Sequence, residues 1–251
     1  MKGNIYKKNY LSKVILRIDF IKSIELSKLR SYADSISSIF PLSKQIDGEE
    51  GYFDLNLQTK QLNQHTNKIV SWVFTDKNST KNLQISPSYL FIEYLKYKNS
   101  TDLINDVEKV VNVFINSFGV KTIKRIGLRY LNEIELHNEK DYLKWDKYIA
   151  NDLLGAISFA NNSEFSVSRS MGQLVFKDGF NIINFNFGVW NDDYPNEVNR
   201  KSFVLDYDCY SNIPVDLSDT SIVDVVKEYN SKIEKIFELS ISDSFRGLLN
   251  K

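Results

Sequence analysis

Two strand-like segments head the two halves of this chain, and each sets an arginine among alternating apolar residues. Val14-Ile15-Leu16-Arg17-Ile18-Asp19-Phe20 opens the first half, and Ile126-Gly127-Leu128-Arg129-Tyr130-Leu131 opens the second. After each come a helical stretch, a set of hairpin strands and a second amphipathic helix. A unit stated twice restricts the fold to a pseudo-symmetric body with a central seam, which holds a ligand, a partner or only a core. The expectation is one compact domain over 1–251, built from two tandem repeats, 1–120 and 121–251 in round terms. No Pro/Gly-rich linker separates them, so the halves share one sheet or pack face to face.

Periodicity fills in the elements. Val14, Leu16, Ile18 and Phe20 alternate with Lys13, Ile15, Arg17 and Asp19, which predicts a strand with one core face. Residues 25–40 switch to helical spacing and stop at Pro41. Residues 43–66 read as a polar loop with a short strand at 52–57, and strands resume at 69–75, 83–86 and 89–96. Ser100 or Thr101 is the expected cap of a helix reaching Phe118, and Gly119 suits its left-handed end. In the second half the pattern predicts a strand at 123–134, a helix at 141–157, and strands at 165–168, 172–176, 180–190 and 202–210. Asp178-Gly179 marks a hairpin. Ser221 with Asp224 resembles a capping box ahead of the longest amphipathic helix, and a final turn holds Phe245, Leu248 and Leu249. The fold class is α+β: pseudo-duplicated β-α-β-β-β-α halves forming a mostly antiparallel sheet with helices packed on it. That arrangement resembles TATA-binding-protein-like or helix-grip folds.

Composition narrows the function classes. A hydrophobic fraction of 42% suits a packed globule. Lysine plus arginine equals aspartate plus glutamate, 32 of each, which removes the general pull toward phosphate backbones. The early lysines Lys2, Lys7, Lys8 and Lys13 read as a solvated tail. Cys209 stands alone, so no intrachain disulfide forms. No apolar run approaches the about 20 residues of a membrane span, and Arg17 and Asp19 interrupt the first one as a secretion signal. The expected location is cytoplasmic, with no membrane partner.

A set of motifs carries a family resemblance. It comprises Arg125-Ile126-Gly127-Leu128-Arg129-Tyr130-Leu131-Asn132-Glu133-Ile134, Trp72-Val73-Phe74, Leu83-Gln84-Ile85-Ser86-Pro87 and Phe91-Ile92-Glu93-Tyr94. Leu205-Asp206-Tyr207-Asp208 and the run from Ile236 to Asp243 complete it. In this order they resemble a family of sporadically distributed prokaryotic proteins of about this length, and the resemblance covers nearly the whole chain. It implies no cofactor and no catalytic set. The patchy occurrence implies a prokaryotic defence or toxin–antitoxin type locus. Relatives carry a histidine on the last long helix where this chain has Asn230, so no histidine-dependent role is expected here.

The candidate site lies at the seam. Arg125 and Arg129 share a strand face with Gly127, Arg17 takes the matching place in the first half, and Asp206, Asp208 and Tyr210 share a face of their own strand. If these strands are neighbours, they form either a cross-strand salt-bridge ladder that sets register or a polar ligand pocket whose arginines bind carboxylate or phosphate. Asn184, Asn186 and Trp190 share the polar face of another strand and read as solvated positions or as a partner surface. His65 and His137 fall in expected loops, and no four-ligand set for zinc is visible, so no metal is expected. No Gly-rich phosphate loop is present. The leading expectation is a non-enzymatic interaction or sensing protein whose partner is another, nearby-encoded protein. A small-ligand or nucleotide-binding module is the alternative, and RNA binding or processing the weaker one. The oligomeric state is left open.

Overall fold

The computed structural model describes residues 6–56, 61–135, 144–160, 162–165, 167–196 and 202–251. In β1 (Leu11–Phe20), Val14, Leu16, Ile18 and Phe20 are buried and the alternate residues face outward. A 3-10 turn at Leu26–Lys28 leads into α1 (Leu29–Ile36), which buries Leu29, Tyr32 and Ile36. The helix ends earlier than its apolar spacing predicts. Phe40 is still held over it, because its N–H donates to the Ile36 carbonyl at 2.9 Å.

The segment expected as a polar loop is a long hairpin ribbon. β2 (Leu42–Asn56) and β3 (Gln61–Thr75) pair antiparallel from Leu42 opposite Thr75 to Asn56 opposite Gln61; Leu57 and the rest of 57–60 lie outside the described residues. β2 is exposed from Leu42 to Gly48, so it shows no buried apolar stripe of period two there. β4 (Lys81–Ile85) and β5 (Tyr89–Tyr94) follow as expected.

The next helix runs as α2 (Ser100–Asp106), a π-helical stretch at Val107–Val111 and α3 (Asn112–Phe118). Its cap is Asn99, not Ser100 or Thr101: the Asn99 side chain accepts the Asp102 N–H at 2.9 Å. Gly119 closes the helix at φ 65, a left-handed conformation that costs glycine little.

β6 (Thr122–Glu135) begins the second half. The helix expected at 141–157 is replaced by turns, a 3-10 turn at Asn151–Leu153 and the short α4 (Gly155–Ala160); Asp141, Tyr142 and His137 lie outside the described residues. Trp145, Ile149, Leu154 and Ile157 are buried all the same. Their spacing reports burial of an irregular segment, with Ile149 bridged to Ile241 and Gly155 opening α4. The strand expected at 165–168 is also absent among the described residues, Ser166 lying outside them. Phe165 is exposed, and its N–H is held by the Ser163 hydroxyl at 3.1 Å.

β7 (Ser170–Asp178) and β8 (Asn181–Val189) form the expected hairpin, with Gly179-Phe180 rather than Asp178-Gly179 as the two turn residues. β9 (Ser202–Ser211) and the short β10 (Val215–Asp216) precede α5 (Ile222–Ser240) and α6 (Asp243–Leu249). Ser221 caps α5 by accepting the Asp224 N–H. The N-terminal arm is tied down at its end: the Lys8 N–H donates to the Leu249 carbonyl at 3.0 Å, and the Tyr6 hydroxyl to Glu238 at 2.6 Å. Lys2 lies outside the described residues.

Among the described residues the strands make one ten-stranded antiparallel sheet in the order β2-β3-β4-β5-β1-β6-β9-β8-β7, with β10 beside β6. Inward-facing strand residues such as Leu16, Leu128 and Tyr207 join helix residues such as Tyr32, Val110, Phe114, Val226 and Ile233 in one hydrophobic core. The described helices therefore cover one face of the sheet. The other face carries the candidate residues. No helix among the described residues is long and apolar enough to cross a membrane.

Candidate functional site

β1 and β6 are direct neighbours, and β9 lies on the far side of β6. Asp19 stands opposite Arg125, Arg17 opposite Gly127, and Arg129 opposite Asp208. Period-2 alternation points all of these side chains to the helix-free face. The strands expected to be adjacent are adjacent, and the charged groups meet across them.

Each guanidinium has a carboxylate. Arg129 holds Asp206 in a two-pronged grip, Nε to Oδ1 at 2.7 Å and a terminal nitrogen to Oδ2 at 2.8 Å. Arg125 lies between Asp208 at 3.5 Å and Asp19 at 3.8 Å. Arg17 binds Asp19 at 2.8 Å. Two arginines also stack on rings: Arg125 sits 4.5 Å over Tyr210, and Arg17 4.5 Å over Tyr89. The stripe thus sets three guanidinium groups against three carboxylates, and its sum is zero.

The electrostatics follow from that pairing. The hydrogen bonds that Arg129 donates to Asp206 raise its pKa further, against the opposing effect of burial. For Asp208, burial is the largest influence and lifts the carboxyl above its usual range, although Arg125 and Arg129 pull it down. The Arg125 side chain lies over Gly127. A Cβ placed there would sit 3.2 Å from the Arg125 guanidinium nitrogens, so the space above the glycine is already filled by Arg125. The guanidinium and carboxylate groups are thus paired across the strands, as in a cross-strand ladder.

Asn184 and Asn186 extend the polar face onto β8. The Asn184 amide donates to the Tyr210 hydroxyl at 3.4 Å, and the Asn186 amide to Asp206 at 3.4 Å. Gln173 of β7 donates to the Asn186 oxygen at 2.9 Å. Trp190 lies just beyond β8. Its indole N–H donates to Asp192 at 2.7 Å, and the Arg169 guanidinium stands 4.0 Å over its ring and 5.9 Å from the exposed Tyr194 ring. Asn230 accepts from the Tyr130 hydroxyl at 2.5 Å and donates to Glu234 at 2.7 Å, so it serves a polar network next to the core.

Asp19, Tyr89, Gln173, Arg169 and Tyr194 belong to this surface and were not among the expected site residues. Alternation put Asp19 on the right face, but nothing in the sequence says that β5 borders β1 or that Arg169 folds over Trp190. Among the described residues no three His, Cys, Asp or Glu side chains gather as a metal site would require. No protein-family profile matches the chain, and no curated protein matches it.

Proposed function

We propose that this chain is a non-enzymatic protein-interaction component that receives another protein on the helix-free face of its sheet. The observation that carries the reading is the neutral, mutually paired stripe across β1, β6 and β9, flanked by the exposed Arg169–Trp190–Tyr194 stack. Arginine and aromatic side chains are the groups that protein interfaces favour. A zero-sum stripe whose guanidinium groups already have partners offers little to a nucleotide phosphate or an RNA backbone, so neither alternative gains support from this geometry. The order of motifs supports placing the chain with the sporadically distributed prokaryotic family, and hence in a defence or toxin–antitoxin type locus.

The same reading takes the chain as one duplicated unit. Its support is the strand order: outward from the β1–β6 border, the first half runs β5-β4-β3-β2 and the second β9-β8-β7, each against chain order, with the short β10 off this path beside β6. That pattern suits tandem repeats about a pseudo-dyad, in the manner of TATA-binding-protein-like sheets, with the first half carrying four strands after its first helix where the expected β-α-β-β-β-α unit has three.

The test is co-purification from the native host with mass spectrometry, using the unaltered chain and a Trp190→Ala, Tyr194→Ala double variant. The unaltered chain retains a specific protein partner, and the double variant loses it while melting at the same temperature. A robust turnover activity abolished by substitution of single residues would overturn the non-enzymatic reading.

A further inference from the structure

β7 ends the sheet on its side, so one line of its backbone N–H and C=O groups has no strand beside it among the described residues. The hairpin turn identifies these groups. In a two-residue hairpin the flanking residues, here Asp178 and Asn181, exchange both of their hydrogen bonds. Bonded pairs then alternate along the ladder, Phe176 with Ile183 and Leu174 with Phe185. Gln173, Val175 and Lys177 therefore turn their backbone groups outward.

Sheet edges in soluble proteins are guarded by charge, proline, bulges or brevity, because a bare edge templates another strand. The opposite edge is guarded: β2 carries the exposed charges Lys44 and Asp47. β7 carries neither charge nor proline from Ser170 to Phe176. Its middle is apolar and open, with Leu174, Val175 and Phe176 exposed by 42%, 53% and 39%.

We propose that β7 pairs with the β7 of a second copy of this chain, antiparallel about a two-fold axis through Leu174, joining two ten-stranded sheets into one. The strand complements itself in that register. Gln173 meets Val175, Gly172 meets Phe176, Met171 meets Lys177 and Ser170 meets Asp178, and no like charges face each other. A register centred on Gln173 would set Arg169 against Lys177, which is unfavourable. Leu174 and Phe176 of the two copies lie on the same side of the joined sheet and cover one another. The pairing goes beyond the partner reading above and does not rest on it, since it uses the edge of the sheet and leaves the polar face free.

Sedimentation of the full chain at micromolar concentration tests the pairing. The unaltered chain runs at twice 29.2 kDa. Val175→Pro removes an outward N–H and spares the bonds to β8, so it runs at 29.2 kDa with an unchanged far-UV circular dichroism spectrum. The register is tested by Leu174→Cys. Facing Cα atoms of a non-hydrogen-bonded antiparallel pair are about 4.5 Å apart, within disulfide reach. Mild oxidation then yields a covalent dimer, and the native Cys209, fully buried, does not compete. A monomeric unaltered chain, a folded Val175→Pro dimer, or a dimer whose Leu174→Cys form fails to cross-link overturns the proposal. So does a monomer that adds an extended peptide of another protein at this edge.

Discussion

Arg129 and Asp206 are the tightest ion pair on the polar face, yet their environments differ. The Asp206 side chain is 9% exposed and that of Arg129 is 46%. Solvent screens the arginine, so a double-mutant cycle between Arg129→Ala and Asp206→Ala in chemical denaturation should give a coupling of about 1 kcal/mol. Asp76 plays a different part. Burial pushes its carboxyl up, but N–H groups of Lys81, Thr80 and Asn78 and the Thr80 hydroxyl outweigh that and hold it below the ordinary carboxylate value. A depressed folded pKa contributes stability that is present above the unfolded value of about 3.9 and lost as pH falls toward the folded one. Asp76→Asn should flatten that acid limb in pH-dependent unfolding. Asp208 has the opposite sign: its raised carboxyl is penalised when ionised, and the penalty fades as pH falls. Gly188 is a steric requirement. Its φ is +138, and a Cβ there would come within 2.0 Å of the Ser170 carbonyl oxygen. Gly188→Ala should cost about 3 kcal/mol or more in denaturant unfolding, because two backbones must part.

Elements differ in how openly the sequence declares them. The strand β1 and helix α5 each present an apolar face at a clean period, and both are legible down to the Ser221 cap. The β2–β3 ribbon is not, since β2 is exposed from Leu42 to Gly48 and offers no alternating buried face there. The segment from Trp145 to Ile157 misleads for the converse reason: it buries residues at helical spacing without forming one helix. Caps are read at the resolution of a single residue, and Asn99 won over its two hydroxyl neighbours because it stands in extended conformation one step before the first turn. Asn99→Ala should destabilise the helix by about 1 kcal/mol in thermal unfolding, whereas Thr101→Ala should leave it within about 0.5 kcal/mol.

At the scale of the whole molecule, the candidate stripe was legible as far as faces go. Alternation placed Arg17, Arg125, Arg129, Asp206 and Asp208 on shared faces, and their meeting across β1, β6 and β9 follows once the strand order is known. Strand order itself depends on contacts between distant residues, which no local pattern encodes. Hence Tyr89 and Asp19 entered the site only through the fold. The two halves are predicted to unfold together. Trp72 lies in the first half and Trp145 and Trp190 in the second, so tryptophan fluorescence samples both. In denaturant it should give one transition that coincides with loss of circular dichroism; two separated transitions would show independent halves.

The border between β1 and β6 has a consequence during synthesis. Val14 finds its neighbour Tyr130 only after more than a hundred further residues have been made. Until the ribosome delivers that stretch, the nascent first half presents a bare flank at what will become the middle of the protein. Delay at this stage of translation is therefore when the chain is most exposed to wrong partners, and when a chaperone has most to shield.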